Sequence, residues 1–582
     1  MGRIAGRPHL DYISAMPDRP LKALDARERL ATRVWGIGFA LLYWIGRTEA
    51  HSLDAISYAR TVRDGAWADL FHPHHLAYSL VIKVLWNALQ VIHPHLDPLA
   101  VAGFLNSLLA GLALAIFARC LLENGATFFW TSFATLGLGL SQCTWTLASE
   151  NEVYVATLLL LIASARQALR AARTGRADQA LQAGMLVAAA SLFHVVAALF
   201  LVPVLLVAFR AAPDAPRRRR LLGAAALGAV VPAVAAYLVV MAVRHDTSVA
   251  LATAWLNRYM RWDSWVDRDP VRLLLGFLWF LRGAVPDFGL IGNAPPPTAV
   301  GWLNDLARVP FLLFAGAVGY LAWDGWRKRP YLTWRFGALP VMCLAWFLVF
   351  ELFLGWVGRS SLKFWTLTLP PLWAFTAIWA DLRFGDPEGL GARRMSPVAS
   401  VVSVLILALM VLTTGFLVVA RRHDTRLDLP RRWSEAVARS TAPRDFLLVP
   451  EGDLEGYLLY YGRRGNLETL ESLARSTRSL PATLDSLRAR ATRARAAGGR
   501  AWFLGTGLVV TPFAAQLWNR PEDAREVYRA LEAELTPHGV YDPSARLTGP
   551  DGPLGQPVLL EWAPRPPQAP PAPGPNGPPP AI

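Results

Sequence analysis

Runs of apolar residues as long as a bilayer is thick recur along this chain, and nothing else in the sequence restricts its fold so strongly. Residues 126–148, 221–243 and 398–420 each approach or exceed the ~20 apolar residues needed to cross a hydrocarbon layer of ~30 Å. Only 17% of the 582 residues are charged and 54% are hydrophobic, whereas a soluble protein carries roughly 25% charged residues. The apolar runs must therefore face lipid. The expected fold is a polytopic α-helical membrane protein with about 11 transmembrane helices.

The net charge of +15 is almost all arginine, since lysine stands only at Lys22, Lys83, Lys328 and Lys363. The arginines gather at the ends of apolar runs, as at Arg166, Arg170, Arg173 and Arg176, or at Arg217 to Arg220. Cytoplasmic loops have that pattern under the positive-inside rule. Nucleic acid is not an expected partner, because no basic patch comes with a reading module. Cys120, Cys143 and Cys343 lie in or beside apolar runs, without the paired spacing of a zinc site or a disulfide framework. Residues 1–30 are polar and basic, so 31–46 reads as an uncleaved anchor and not as a signal peptide.

Arginine placement also sets the expected topology. The N-terminal 30 residues lie in the cytoplasm, and a transmembrane domain over 31–424 carries two long external loops, 47–98 and 244–307. In the first loop, Ile56, Ala59, Val62, Ala66 and Trp67 fall at helical spacing, as in a helix lying on the membrane surface. Residues 76–92 form a second, interrupted apolar segment, and spans are expected at about 99–119, 126–147 and 153–170. The apolar stretch 181–209 has arginine-rich flanks at both ends. It must cross an even number of times, which a hairpin of two short arms breaking near His194 satisfies. Spans at about 221–243, 308–325, 336–354, 364–381 and 397–420 follow. The odd total puts the tail outside the cytoplasm of a multi-pass protein in the plasma (inner) membrane.

That tail changes character. Strand-like pieces at 445–449, 501–505 and 557–562 alternate with helical patterns at 481–497 and 521–535, so 425–565 reads as a small extracytoplasmic α/β domain. Residues 566–582 are Pro-rich and cannot bury enough surface to fold.

Polar groups that could do chemistry cluster on the external side. Asp54 follows the first span closely, where a carboxylate is suited to taking a proton from a hydroxyl. It equally sits where an N-cap would start the surface helix. His72, His74 and His75 invite a metal reading, but a proline interrupts them and no acidic or cysteine ligand stands at fixed spacing beside them. A histidine that donates to a phosphate, or lies at the water interface, fits better. Glu150, Glu152 and Tyr154 occupy a turn between two spans; the plain alternative is an ordinary solvated turn. Arg258 and Arg261 lie in the second external loop. Arg359 and Lys363 stand on the wrong side for the positive-inside rule and one helical turn apart, able to converge on one anion such as a lipid phosphate, or simply to snorkel.

The order of these motifs resembles the GT-C superfamily of membrane glycosyltransferases, most of all its protein O-mannosyltransferase-related and bacterial lipid-linked-sugar branches. An acid soon after the first span (Asp54) is followed by His72-Pro73-x-His75-x-x-Tyr78, then Glu152-Val153-Tyr154, then Lys363-Phe364-x(5)-Pro370-Pro371. The resemblance covers about residues 31–420 and is strongest over 51–160. Many relatives have Asp-Glu at the first motif, whereas Ala55 follows Asp54 here.

The resemblance implies a glycosyltransferase that moves a sugar from a polyprenyl-phosphate donor to a hydroxyl acceptor on protein, lipid or glycan, outside the cytoplasm and without metal or other cofactor. It makes Asp54 the catalytic residue, which orients or deprotonates the acceptor, and places His72, Glu152, Tyr154 and Lys363, with Arg359 nearby, around the substrates. His75, Glu150, Arg258 and Arg261 are expected beside them as substrate contacts because the first loop, the turn at 150–154 and the second external loop meet on one face. Two other classes stand beside it. A transporter or flippase would use ionisable groups at mid-membrane, for which His194 and Glu351 are the clear candidates. A non-catalytic scaffold would merely present the C-terminal domain.

Overall fold

A computed structural model describes residues 22–212, 214–246, 248–257, 279–286, 301–327, 329–357, 362–384, 397–449, 452–477 and 480–505, with short pieces at 548–549, 552–553 and 558–561. Arg258, Arg261, Arg359, the helical pattern at 521–535 and the Pro-rich tail lie outside the described residues. The chain divides into two compact units, one ending at His423 and the other beginning at Asp424.

The first unit is helical. It contains α1 (Ala26–Ile45), α2 (Leu53–Asp64), α3 (Tyr78–Gln90), α4 (Pro98–Glu123), α5 (Phe128–Leu140), α6 (Gln142–Ala148), α7 (Tyr154–Thr174), α8 (Ala177–Phe193), α9 (Leu201–Ala211) and α10 (Ala215–Val243). Then follow α11 (Val249–Asn257), α12 (Trp279–Ala284), α13 (Gly301–Arg327), α14 (Arg329–Phe336), α15 (Leu339–Val357), α16 (Leu369–Phe384) and α17 (Pro397–Met410). The last continues through wide i→i+5 turns over Val411–Val419 to His423. Among the described residues, four helices are long and apolar enough to cross a membrane: 98–123, 154–174, 215–243 and 397–423. Shorter apolar helices at 128–140, 195–211 and 339–355 accompany them. The protein is thus an integral membrane protein.

Several helices overrun the apolar stretches that announce them, because polar residues add capped turns. Asp25 and Glu28 close a reciprocal capping box at the start of α1. Asp214 caps α10 ahead of its arginines, with Pro216 in the first turn, where a missing N–H costs nothing. The expected single span over 126–147 is instead two helices. Ser141 adopts extended geometry between them (ψ 139°), its hydroxyl donating to Gly137 O at 2.8 Å and accepting from Trp373 Nε1 at 2.9 Å.

Close glycine contacts fix the bundle. A Cβ on Gly111 would lie 2.3 Å from the carbonyl oxygen of Gly36, so α1 and α4 meet backbone to backbone. Gly228 of α10 sits equally tight against Leu181 O of α8 (2.3 Å for an added Cβ), and Gly184 against Ala225 O (2.1 Å). These contacts also settle the stretch after α7. Gly175 lies beside Arg217, Gly184 beside Ala225, and Leu192 beside Ala236 and Val240, so α8 and α10 run parallel. The chain between them must return. It turns at His194 (φ −155°, ψ 117°), tightens through Val195–Phe200 and comes back along α9. That return rises about 28 Å, so the arm is close to a full hydrocarbon thickness and not the thin one anticipated from sequence.

One end of the bundle gathers arginine around buried acids. Glu123 accepts from Arg166 Nε at 2.9 Å and Arg170 Nη2 at 3.0 Å, and Asp381 pairs with Arg335 at 3.1 Å. The opposite end carries α2, the turn between α6 and α7, the stretch before α16 and the exit of α17.

The second unit contains a four-stranded sheet among its described residues. Its strands are β1 (Phe446–Val449), β2 (Leu467–Thr469), β3 (Ala501–Gly505) and β4 (Val558–Glu561), in the order β2-β1-β3-β4. β1 is parallel to β2 and β3, and β3 is antiparallel to β4. The helix expected at 481–497 is Leu480–Ala496. β2 has three residues, too few for any alternation to show. Asp445 is buried and accepts from the amides of Ala442 and Arg500 (both 2.8 Å) and from Trp502 Nε1 (2.9 Å), which ties the start of β1 to β3.

Candidate functional site

The site begins with how α2 starts. Residues 46–52 have no regular structure, and Ser52 caps the helix by accepting from the Ala55 amide at 3.2 Å. The alternative reading of Asp54 as the N-cap is therefore corrected. A serine hydroxyl two residues earlier reaches the N3 amide, which leaves the Asp54 carboxylate in the first turn with its oxygens unspent on the backbone. Its Oδ2 pairs with Lys363 Nζ.

Lys363 arrives from the tight-turn segment Leu362–Thr368, which leads into α16 across Pro370 and Pro371. It also reaches Glu152 Oε1 at 3.4 Å and lies 6.0 Å from the centre of the Tyr154 ring. One cation thus joins the first-loop acid to the Glu-Val-Tyr turn, although Asp54 and Glu152 lie 309 and 211 positions from it in the sequence.

The turn between α6 and α7 is not the solvated turn that was the plain alternative. Glu150, Asn151 and Glu152 are 2%, 1% and 1% exposed. Buried polar groups need partners, and here most have them, Glu152 Oε2 and Asn106 Oδ1 being without a hydrogen bond among the described residues. Asn106, fully buried on α4, donates to the carbonyls of Glu150 (2.7 Å) and Glu152 (2.8 Å). Tyr78 OH donates to Asn151 Oδ1 at 2.7 Å, and Asn151 Nδ2 donates to Ala55 O at 2.7 Å. Glu150 has one oxygen on the Ser52 amide and the other on Arg422 Nη2 at 2.8 Å. The Ser52 hydroxyl donates to Glu152 Oε1 at 3.1 Å.

Electrostatics separate the two glutamates. Burial raises Glu152 to about 7; Lys363 opposes this, while Asp54 and Glu150 add to it. Burial pushes Glu150 the same way, but Arg422, His51 and the Ser52 amide outweigh it and hold the carboxyl below the ordinary range. Burial works against the charge on Lys363, yet Glu152 and Asp54 more than compensate and raise it. At neutral pH the pocket thus holds a firmly charged lysine, a charged Glu150 and a Glu152 poised to take or release a proton.

His72 and His75 form a tight turn, with the His75 amide donating to His72 O at 3.0 Å and the two rings stacked 5.0 Å apart. The turn is strapped to the break after α8: Val195 N donates to His74 O at 3.0 Å and Ala77 N to Leu192 O at 2.8 Å. His75 lies 4.8 Å from His194, which lies 4.8 Å from Tyr154. Burial, then His194, His72 and His74, lowers His75 well below the ordinary histidine range. Among the described residues, no three His, Cys, Asp or Glu side chains are grouped to hold a metal ion.

The structure brings together Asp54, Glu150, Glu152, Tyr154 and Lys363, with His75 joined to them through His194. His72 enters only through its stacking on His75. The sequence alone assigns no role to Ser52, Tyr78, Asn106, Asn151 or Arg422. Asn106 had one available signal, as a buried amide inside an otherwise apolar span.

No protein-family model matches the sequence, and neither does any curated protein. Among solved structures, the chain is similar to ArnT from Cupriavidus metallidurans bound to undecaprenyl phosphate, at 16% identity over 75% of this chain and 85% of that one, with TM-score 0.48. It is also similar to the archaeal oligosaccharyltransferase AglB from Archaeoglobus fulgidus, in complex with an inhibitory peptide and a dolichol-phosphate (12% identity, 86% of this chain and 72% of that one, TM-score 0.45). A third is the S. cerevisiae protein O-mannosyltransferase Pmt1-Pmt2 complex bound to the sugar donor (12% identity, 50% and 39%, TM-score 0.34). These are likenesses in the course of the chain; the chemistry has to come from the residues themselves.

Proposed function

We propose that this protein is a glycosyltransferase that moves a sugar from a polyprenyl-phosphate donor to a hydroxyl acceptor at the extracytoplasmic face of the inner membrane. The observation that carries this reading is the meeting of Lys363 with Asp54 and Glu152 at one end of the helical bundle. The other end holds Arg166, Arg170 and Arg335, which the positive-inside rule assigns to the cytoplasm. The site then faces outward, at the level of lipid headgroups.

In the proposed reaction the acceptor oxygen attacks the anomeric carbon and forms the new C–O bond. The bond from that carbon to the phosphate oxygen breaks, and the polyprenyl phosphate leaves with the electron pair. Lys363 stabilises the charge that grows on the departing phosphate, with Arg359 beside it in sequence. Asp54 takes the acceptor proton. An incoming donor phosphate competes with Asp54 for Lys363, so donor binding frees the carboxylate that the reaction needs. Glu152 and Tyr154 line the donor side. His72, His75, Arg258 and Arg261 are proposed as contacts to substrate, with residues 425–565 as an extracytoplasmic domain that selects the acceptor.

Reconstituted protein should release sugar from radiolabelled polyprenyl-phosphate sugars, and Asp54→Asn should abolish release while donor binding and folding persist. Equal turnover in both proteins removes Asp54 from the mechanism. A second reading has one observation in its favour: Glu351 of α15 is 1% exposed and neither carboxylate oxygen has a hydrogen-bond partner among the described residues, as in a transport path. Movement of a labelled lipid-phosphate across the bilayer without sugar release would favour it.

A further inference from the structure

Residues 46–52 reach the site without helix or strand to hold them, yet they deliver Ser52 and Asp54 to one place. What holds them lies about 370 positions further along the chain. The carbonyl of Arg422, at the exit of the last membrane helix, accepts from the amides of Glu49 and Ala50 (both 2.9 Å) and from Thr48 Oγ1 (3.2 Å). Its guanidinium donates to Ala50 O at 3.2 Å and to Glu150 Oε2 at 2.8 Å. Glu150 in turn holds the Ser52 amide, and Ser52 both caps the Asp54 helix and donates to Glu152.

We propose that Arg422 is a positioning residue. Through Glu150 and Ser52 it sets where the Asp54 and Glu152 carboxylates stand relative to Lys363. This rests on the glycosyltransferase reading for its catalytic consequence, though not for its geometry. Glu150 on this account orients the loop and does not touch substrate, since both its oxygens are already engaged. The tie also has an address: the second unit begins at Asp424, two residues after Arg422. A guanidinium suits the task because the two protons of Nη2 serve the Glu150 carboxylate and the Ala50 carbonyl from one rigid plane, whereas an ammonium rotates freely and fixes neither direction.

Full-length Arg422→Gln and Arg422→Lys proteins in lipid nanodiscs test it by amide hydrogen exchange and by turnover of a polyprenyl-phosphate sugar. Losing charge-assisted hydrogen bonds at the tie should speed exchange over residues 49–55 by roughly tenfold or more in Arg422→Gln, with α4 unchanged. kcat should fall by on the order of tenfold or more at nearly constant KM, as expected when a reacting group is misplaced. Arg422→Lys should recover part of both, since its cation still reaches Glu150. Unchanged exchange over 49–55, equal acceleration in α4, or a lysine variant no better than glutamine overturns the proposal. If the wild type shows no turnover at all, the exchange pattern still decides the tie, and the glycosyltransferase reading alone fails.

Discussion

Replacing Glu152 with glutamine should change the sign of this residue's contribution to stability across the neutral range. Its carboxyl titrates near 7 in the folded protein, against an ordinary value of 4.5. A carboxyl raised in this way binds its proton more tightly folded than unfolded, so its contribution to stability is greatest below pH 4.5. That contribution is lost as pH rises, and the loss is complete above 7. At about 1.4 kcal/mol per pH unit, keeping Glu152 ionised in its buried place costs about 3 kcal/mol. Lys363 and the Ser52 hydroxyl reduce that cost without cancelling it. Glutamine has the same shape and no charge to desolvate. Thermal unfolding of the two proteins in the same detergent, from pH 5 to pH 8.5, should show the wild type losing ground to Glu152→Gln by up to about 3 kcal/mol, or a few degrees in Tm. Most of the divergence should fall between pH 5 and 7.5. Parallel curves would mean that Glu152 is not held near 7 and that the electrostatic description of the pocket is wrong.

Lys363→Gln should lower kcat by on the order of 10²-fold or more if the lysine stabilises a departing phosphate, with weaker capture of the polyprenyl-phosphate donor; steady-state kinetics at saturating donor separate the two effects. Asn106→Leu leaves the Glu150 and Glu152 carbonyls without their buried donor and should cost about 2–4 kcal/mol for two such groups, read as a lower midpoint in thermal or denaturant unfolding. Gly228→Leu drives a side chain into the Leu181 carbonyl and should destabilise by about 1–3 kcal/mol or more. Gly223→Ala on the same helix meets nothing within 4 Å among the described residues and should cause no loss of stability in the same assay.

The membrane character was legible because it depends on local composition: an apolar run of bilayer length has few alternatives. The break at His194 could be inferred as well, since arginine at both ends of 181–209 requires an even number of crossings, and the parallel course of α8 and α10 agrees. The break at Ser141 was not legible, because Ser141 and Gln142 interrupt the apolar run only briefly and the partner that stabilises the kink, Trp373, lies 232 residues away. The wide turns over Val411–Val419 are similarly silent. A run of i→i+5 bonds needs the same residue types as an ordinary helix, and here the packing of Gly415 on Trp145 accompanies it.

The sequence by itself determined which residues could matter at the candidate site, since carboxylates and cations beside membrane spans are few and each stands out against an apolar background. It determined the helical class of the first unit for the same reason. Only the tertiary structure decided which of those residues meet. Lys363 joins Asp54 across 309 positions, and Arg422 joins Glu150 across 272. Such pairings depend on how helices pack, and side-chain types carry no record of that. The tertiary structure also decided that Glu150 and Glu152, two positions apart, shift in opposite directions from the ordinary carboxyl range. Identical side chains differ there because one faces an arginine in a closed turn, while the other shares a single lysine with a second carboxylate.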